Sequence, residues 1–222
     1  MLNTIAFIPD GNRRYAKKNG LSFLEAYNIG FNTAEKVFDW TLKLPDIKVA
    51  TIYALSTENL RRKKTELTLL SSLFDKYFRQ LAKHPKIHDN EVKVKIIGRK
   101  EEIPSLKDSI GVLEDGTQDY DKYELNIALG YGGRDELIRA FNELKTSGEP
   151  INEETVKKHL YMTEDIDLLV RTGSSQRLSN FLTWQTAYSE LYFTPKLWGE
   201  YDETEFKKSI DFYENTQRNF GK

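Results

Sequence analysis

Six short runs of β-branched and other apolar residues recur along the chain, and helical patterns separate most of them. These runs predict strands at residues 5–8, 49–54, 92–97, 124–129, 168–170 and 191–193. The predicted helices cover residues 22–43, 65–84, 135–145, 153–160 and 202–215. Strands that alternate with helices favour a parallel sheet with helices on both faces. We therefore expect an α/β fold with a central, mainly parallel sheet of about six strands.

Size and composition limit the classes of protein. The 222 residues are 39% hydrophobic and 30% charged, which is typical of one globular domain spanning residues 1–222. A net charge of −1 gives no field that would attract nucleic acid. The chain has no cysteine and no signal-peptide pattern, and no apolar run approaches the ~20 residues of a membrane span. We expect a cytoplasmic protein and leave contact with a membrane surface open.

Polar, arginine-containing segments follow most of the predicted strands. Ligands of open α/β sheets bind outside the carboxyl ends of the strands, so these segments predict one shared site for phosphate groups. Arginine forks and hydroxyl groups bind phosphate oxygens, and carboxylates hold accompanying metal ions. The main segments are Asp10-Gly11-Asn12-Arg13-Arg14-Tyr15, Ser56-Thr57-Glu58-Asn59 with Arg62, and Arg171 to Ser179 with Arg177 and Leu178.

The first segment has two interpretations. Asp-Gly-Asn is an ordinary turn sequence. Arg13 and Arg14 also stand at the start of a predicted short helix, where backbone N–H groups and guanidinium groups favour an anion. Asp10 would repel a phosphate unless Mg²⁺ lay between them, and Mg²⁺ commonly takes one or two carboxylates together with phosphate oxygens. The functional interpretation is therefore a magnesium-assisted phosphate site.

The late segment also has a plain alternative, a solvated surface loop. The strongly apolar stretch that follows the loop, residues 181–193, argues against this alternative, because it would hold the loop in a fixed position. Glu190 lies among these apolar residues, and a carboxylate there is costly unless it is paired or bound to a metal. Two phosphate-binding segments, each with an acid nearby, therefore suggest chemistry between two phosphorylated molecules. The three histidines, His84, His88 and His159, show no metal-ligand spacing, and we expect them at the surface.

Taken together, the motifs resemble the cis-prenyltransferases, the family of undecaprenyl and dehydrodolichyl diphosphate synthases. The resemblance rests on five segments in the family's order, covering nearly the whole chain. They are Asp10-Gly-Asn-Arg-Arg-Tyr-Ala, Tyr53-Ala-Leu-Ser-Thr-Glu-Asn, Val94-Lys-Ile-Ile-Gly, Leu125 to Arg134, and Asp167 to Trp198. The resemblance implies an α/β sheet with a hydrophobic tunnel, a homodimer, and Mg²⁺-dependent addition of isopentenyl diphosphate to an allylic prenyl diphosphate.

The resemblance also implies roles for individual residues. Asp10 and Glu190 would hold Mg²⁺, and Asn59 would assist proton removal. Residues 218–221 look like the family's tail motif, which reaches an active site across the dimer. The allylic diphosphate would lie against Gly11, Asn12, Arg13, Arg14, Tyr15, Ser56, Thr57, Glu58 and Arg62. Isopentenyl diphosphate would lie against Arg171, Arg177, Leu178 and Ser179.

Four positions depart from the family pattern, namely Phe23, Tyr27, Leu60 and Ser175. Phe23 and Tyr27 stand where an arginine and a histidine are usual, so the first diphosphate site has fewer cationic donors. The departures at Phe23, Tyr27 and Ser175 motivate a second hypothesis, a non-catalytic partner subunit of a hetero-oligomeric prenyltransferase. The intact Asp10 segment argues against it. A third hypothesis, a phosphohydrolase that uses Asp10, lacks a nucleophile or second acid near the first strand.

Overall fold

Six parallel strands form a single sheet in the order β3-β4-β2-β1-β5-β6. The computed structural model describes residues 1–217, so the predicted tail motif at residues 218–221 lies outside the described residues. The strands are β1 Thr4–Ile8, β2 Val49–Ser56, β3 Val92–Ile97, β4 Tyr123–Tyr131, β5 Leu168–Arg171 and β6 Glu190–Phe193. All six correspond to predicted strands, and the expected α/β class is confirmed.

Eight α-helices are described between and after these strands. They are α1 Asn12–Asn19, α2 Phe23–Leu42, α3 Lys64–Leu81, α4 Pro85–Asp89, α5 Lys107–Asp115, α6 Gly133–Ser147, α7 Glu153–Lys158 and α8 Glu203–Asn215. A capping box begins α2, because Ser22 Oγ accepts the Glu25 N–H at 3.2 Å and Glu25 Oε2 accepts the Ser22 N–H at 2.8 Å.

Sequence reasoning missed α5. A parallel pairing of β3 with β4 requires a crossover, and α5 supplies it across residues 98–122. Leu106, Ile110 and Leu113 were the available signal, since they have helical spacing and are all buried.

The alternation along β1 divides the core between the two faces of the sheet. Ile5 and Phe7 belong to the large apolar cluster that includes residues of α2, α3, α5 and α8. Ala6 and Ile8 belong to a second cluster formed with residues 162–182 on the opposite face. Because every strand is parallel, the carboxyl ends of all six meet at one edge, and this edge carries the segments predicted to bind phosphate.

Candidate active site

Asp10 lies between two arginines that come from distant parts of the chain. Arg171 ends β5 directly beside Ile8 of β1, and its Nη2 donates to Asp10 Oδ2 at 3.0 Å. Arg14, in the first turns of α1, donates from Nη2 to Asp10 Oδ1 at 3.0 Å. Only 4% of the Arg171 side chain is exposed, against 30% for Asp10 and 50% for Arg14. The acidic turn and the late arginine therefore meet, as the sequence predicts.

Arg171 also organises the loop that follows it. Its Nη1 donates to Ser179 Oγ at 2.7 Å and to the carbonyl oxygen of Arg177. Thr172 Oγ1 accepts the Asp10 N–H at 3.0 Å and donates to the Asp10 carbonyl at 2.8 Å. The loop of residues 171–179 is thereby fixed against the first loop, while the Arg177 side chain itself stays exposed.

The backbone of this late segment holds several conformations that non-glycine residues rarely adopt. Ser174, Ser179, Asn180 and Leu182 have φ angles of 65°, 51°, 63° and 45°. Such strain costs free energy and persists where the surroundings fix it, often at functional sites. Here the surroundings include Tyr53, which stacks on Phe181 at 4.3 Å between ring centroids and donates to the Ser179 carbonyl at 3.4 Å.

The close packing of the late loop against Asp10 and Arg14 can be tested at Gly173. A Cβ there would lie 2.5 Å from Arg14 Nη2 and 3.0 Å from the Asp10 carbonyl oxygen, and the φ angle is +82°. We expect Gly173→Ala to lose roughly 1 kcal/mol of unfolding free energy from φ alone and also to displace Arg14 and lower kcat/KM. Gly148→Ala is the matched control, because φ is +75° there but nothing lies within 4 Å. Urea unfolding and turnover of both variants test this, and equal activity losses would contradict it.

The second predicted segment also reaches this edge. Ser56 ends β2, and its Oγ accepts the Asn59 N–H at 3.1 Å, which begins a 3₁₀ turn at Glu58–Arg61. Asn180 Nδ2 donates to Glu58 Oε1 at 3.3 Å and so joins this turn to the late loop. Burial opposes ionisation of Glu58, but hydrogen bonds from its own backbone, Ser56 and Asn180 outweigh burial and lower its pKa. The carboxylate form is therefore favoured.

Glu66, which the sequence analysis did not single out, connects the remaining predicted arginines. Its Oε1 accepts from Arg62 Nη1 at 2.8 Å and also from Arg13 Nη2. The hydrogen bond to Glu66 raises the pKa of Arg13 and keeps it charged. Arg62 Nη1 also donates to Tyr27 Oη at 3.2 Å, so the tyrosine at a departing position still contacts a cation. Arg62 precedes α3, which begins at Lys64, so no helical spacing in the sequence signalled this contact.

The other positions that depart from the family pattern fill space. Phe23 stacks on Tyr27 with ring centroids 4.2 Å apart. Leu60 packs against the main apolar cluster and lies 3.3 Å from the position of a Cβ on Gly130. Ser175 is half-buried in the late loop.

The remaining predicted residues also lie at this edge or beside it. Gly11 has a φ of 109° and caps the N-terminus of α1. Tyr15 faces Gly199, where a Cβ would lie 3.0 Å from its ring. Asn12 turns Oδ1 inward toward Gly30, and Leu178 packs on the second apolar cluster. Thr57 Oγ1 donates to Glu58 Oε2 at 3.2 Å.

The structure contradicts one expected contact, that between Glu190 and Asp10. Glu190 begins β6 and lies beside Leu168, whereas Asp10 lies beyond Ile8, whose partner on β5 is Arg171. Leu168 and Arg171 are three positions apart along β5, about 10 Å at ~3.3 Å per residue. The prediction that both carboxylates of one chain share a pocket is therefore wrong.

An apolar cavity of about 650 Å³ opens beside this site. It lies between the sheet and helices α2 and α3, and Pro9 and Asn12 stand at the end next to Asp10. Ile52 and Ala54, on the central strand β2, would be fully buried in a filled core, yet both are partly exposed to this cavity. Its apolar wall consists of Tyr27, Phe31, Ala34, Phe38, Ile52, Ala54, Phe74, Phe78, Leu81, Leu125, Ile127 and Trp198.

The late segment is also supported by Glu136, a second carboxylate that the sequence analysis did not single out. It is only 1% exposed and accepts hydrogen bonds from Tyr131 Oη at 2.5 Å, the Tyr161 N–H at 2.8 Å and Gln185 Nε2 at 3.2 Å. Burial, with the neighbouring charge of Glu136, raises the pKa of Tyr131, so its hydroxyl stays protonated and donates. Three donors on one carboxylate hold β4, residue 161 and residue 185 together.

Replacing Glu136 by glutamine should destabilise the fold. The amide brings a donor where three donors already converge, and one buried polar group is left unpaired, which costs roughly 1–3 kcal/mol. Glu143→Gln is the control on the same helix, because 44% of its side chain is exposed and surface ion pairs contribute little. Urea unfolding measures both variants. Equal stabilities would show that the Glu136 network contributes nothing.

Cationic groups around one acid, at the mouth of a hydrocarbon-lined cavity, define an enzyme that acts on phosphorylated apolar chains. The family model for undecaprenyl diphosphate synthases, Prenyltransf, matches residues 8–221. The chain belongs to this family, the cis-prenyltransferases. It catalyses cis-prenyl chain elongation, in which isopentenyl diphosphate condenses with an allylic prenyl diphosphate to give a polyprenyl diphosphate and release diphosphate.

Curated relatives agree over the whole chain. A tritrans,polycis-undecaprenyl-diphosphate synthase (geranylgeranyl-diphosphate specific) from Pyrobaculum aerophilum is 44% identical, and the match covers 98% of this chain and 95% of the relative. An isoprenyl transferase from Fusobacterium nucleatum is 41% identical, with 98% and 94% covered.

Solved structures share the fold at a similar coverage. Lavandulyl diphosphate synthase from Lavandula x intermedia, solved with dimethylallyl diphosphate, superposes with a TM-score of 0.94 at 31% identity. That match covers 99% of this chain and 98% of the other. A probable undecaprenyl diphosphate synthase from Campylobacter jejuni gives a TM-score of 0.85 at 31% identity, with 100% and 99% covered.

Proposed function

We propose that elongation starts from geranylgeranyl diphosphate, depends on Mg²⁺ and takes place where the loops around Asp10 and Arg171 meet. The observation that carries this proposal is the position of Asp10, held by Arg14 and Arg171 next to the apolar cavity. Relatives from Pyrobaculum aerophilum and Thermoplasma acidophilum are named as specific for geranylgeranyl diphosphate, which supports the choice of primer.

In this proposal the allylic diphosphate lies against the start of α1, from Gly11 to Tyr15. Free backbone N–H groups and the guanidinium groups of Arg13 and Arg14 favour an anion there. Arg62 approaches from the 3₁₀ turn, and Glu66 holds it beside Arg13 until the diphosphate competes for both. Ser56, Thr57 and Glu58 complete this side of the pocket. The allylic tail extends into the cavity, where water is excluded from the reacting carbon.

The donor set around Asp10 fits Mg²⁺ that takes most of its ligands from substrate. Residues 1–217 contain no group of three or more acidic or histidine side chains suited to a metal. Asp10 offers one carboxylate, and magnesium commonly combines one or two carboxylates with phosphate oxygens. When bound, Mg²⁺ would neutralise charge on the departing diphosphate. Arg14 and Arg171 hold the Asp10 carboxylate in place for this role.

Isopentenyl diphosphate would lie on the late loop. The exposed Arg177 guanidinium supplies a free fork for phosphate, with Leu178 and Ser179 beside it. The new carbon–carbon bond forms as the carbon–oxygen bond of the primer breaks and the isopentenyl unit loses a proton. Asn59 is assigned to assist that proton transfer, because the Glu58–Asn180 hydrogen bond brings its turn to this loop. Holding both substrates side by side removes much of the entropic barrier.

We further propose that the whole chain is one catalytic domain that acts as a cytoplasmic homodimer. The coverage of full-length relatives supports a single domain. The structure describes no helix in residues 1–217 that is long and apolar enough to cross a membrane. A membrane in peripheral contact with the protein would accept the hydrocarbon product.

One assay tests this proposal. The purified protein is incubated with labelled isopentenyl diphosphate and with geranylgeranyl, farnesyl or dimethylallyl diphosphate, with Mg²⁺ or with excess EDTA. The proposal predicts labelled polyprenyl product, fastest from geranylgeranyl diphosphate and lost in EDTA. Equal rates with all primers would contradict the proposed specificity. Product only after addition of a second prenyltransferase homologue would instead indicate a non-catalytic partner subunit.

A further inference from the structure

Positive charge is concentrated on the side of the molecule where the cavity opens. Residues 11–28 and 57–69 carry eight basic and three acidic side chains, whereas the whole chain has a net charge of −1. Arg62 Nη1 donates to Tyr27 Oη at 3.2 Å and so holds the two segments together. Tyr27 also lines the cavity, so the excess positive charge lies at its edge. We call these two segments the basic rim.

The basic rim holds more cations than the proposed contacts with diphosphate account for. The arginines assigned to the allylic diphosphate each pair with an acid of the site. Four further cations are exposed and form no ion pair within residues 1–217, namely Lys17, Arg61, Lys63 and Lys64. Because no carboxylate of the described chain neutralises these four, they give the surface a positive potential that favours an anionic partner.

Helix stability does not explain the two lysines at the start of α3. Lys63 is the N-cap residue, and its side chain caps no backbone N–H group. Asp, Asn, Ser and Thr are favoured at that position because their oxygens accept a backbone N–H, and the helix dipole disfavours a cation there. Lys64 adds a second cation at the first position of the helix. Both lysines therefore oppose the dipole of α3, and an anion outside the protein would relieve that repulsion.

Two exposed leucines lie on the same segments as these cations. The exposed fraction is 43% for Leu24 and 40% for Leu69. Leu24 follows Phe23, which stacks on Tyr27 at the edge of the cavity, and Leu69 lies in the second turn of α3. Exposed apolar side chains beside unpaired lysines and arginines suit a bilayer interface, where leucine enters the headgroup boundary and the cations contact anionic lipids.

We propose that the basic rim is a docking surface for an anionic lipid bilayer and turns the mouth of the cavity toward the lipids. The four unpaired cations contact lipid phosphates, while Leu24 and Leu69 enter the headgroup region. This inference rests on the proposed function, since the primer and the product are both amphiphiles with a diphosphate head and a hydrocarbon tail. Docking lets the enzyme take up its primer and release its product at the membrane surface.

Vesicle sedimentation tests this docking surface. The protein is mixed with phosphatidylcholine vesicles, with or without phosphatidylglycerol, at low and at high salt. The test variant is Lys63→Glu/Lys64→Glu. The control variant Lys122→Glu/Lys207→Glu changes the net charge equally outside the basic rim, where 63% and 69% of the two side chains are exposed. Turnover of each protein is measured in detergent without vesicles, which also shows that the fold remains.

The parent should bind vesicles that contain phosphatidylglycerol at low salt, bind neutral vesicles weakly and dissociate at high salt. Each basic residue near an anionic surface contributes roughly fivefold, so the test variant should bind roughly 25-fold more weakly or worse. The control variant should bind like the parent, and all three proteins should turn over equally in detergent. Leu24→Ser/Leu69→Ser should weaken binding at an unchanged net charge.

Three results would overturn the docking surface. The first is equal binding of the parent to neutral and anionic vesicles, or no binding to either. The second is equal binding by the test and control variants. The third is a test variant that binds vesicles like the parent but has a raised KM for a diphosphate substrate, since the lysines would then serve the substrate site. Absence of product from the parent in detergent would instead refute the proposed function.

Discussion

Asp10→Asn is expected to lower kcat by about 10²–10³-fold, the range seen when one preorganised electrostatic group is removed. The amide keeps the size of the side chain but removes the charge that Arg14 and Arg171 surround. In the proposed mechanism the variant also loses the carboxylate that would hold Mg²⁺ at the diphosphate. Turnover with geranylgeranyl and isopentenyl diphosphates measures the effect, and circular dichroism checks that the fold remains.

Asp165→Asn is the matched control for this prediction. Asp165 is an exposed acid whose carboxylate pairs with Lys157 at 2.8 Å, so its loss should leave turnover unchanged. An Asp10→Asn protein that turns over at the parent rate would refute the role assigned to Asp10.

Arg171→Met is expected to reduce both stability and activity. Arg171 is buried and contacts Asp10, Ser179 and the Arg177 backbone at once. Removing one partner of a buried ion pair typically costs 3–5 kcal/mol, and we expect roughly 2–4 kcal/mol because Asp10 is partly exposed. The late loop then loses its anchor, and KM for isopentenyl diphosphate rises. Urea unfolding and steady-state kinetics measure the two effects.

Arg177→Ala separates binding from folding in the same loop. Its guanidinium is exposed, so stability should stay within about 0.5 kcal/mol of the parent. KM for isopentenyl diphosphate should rise in this variant too. A stable Arg171→Met protein would contradict the anchoring role, and an unchanged KM in Arg177→Ala would contradict its proposed contact with phosphate.

Local pattern predicted most of the sheet, because parallel strands buried on both faces appear as short apolar runs. The same strand pattern also explains why the expected contact between Glu190 and Asp10 was wrong. A residue that begins a parallel strand lies at the amino edge, opposite the edge that carries Asp10 and Arg171. The apolar surroundings of Glu190 in sequence were misleading, since they reflect the strand it begins.

The contacts of the site were harder to predict than its residues. The charged and polar side chains near Asp10 could be picked out because they follow strands. That Glu66 would join Arg13 to Arg62 depends on how α1 and α3 pack, and nothing local in the sequence specifies that. The sequence analysis did not single out Glu136, because only the tertiary structure buries it against Tyr131 and Gln185.

The most direct test is a crystal structure of the protein with isopentenyl diphosphate and a non-reactive thio-analogue of geranylgeranyl diphosphate. We predict one diphosphate at the start of α1 beside Asp10, a second against Arg177 and Ser179, and the allylic tail inside the cavity that Ile52 and Ala54 line. Diphosphates bound elsewhere, or a tail lying outside that cavity, would contradict a single site built from the two ends of the chain.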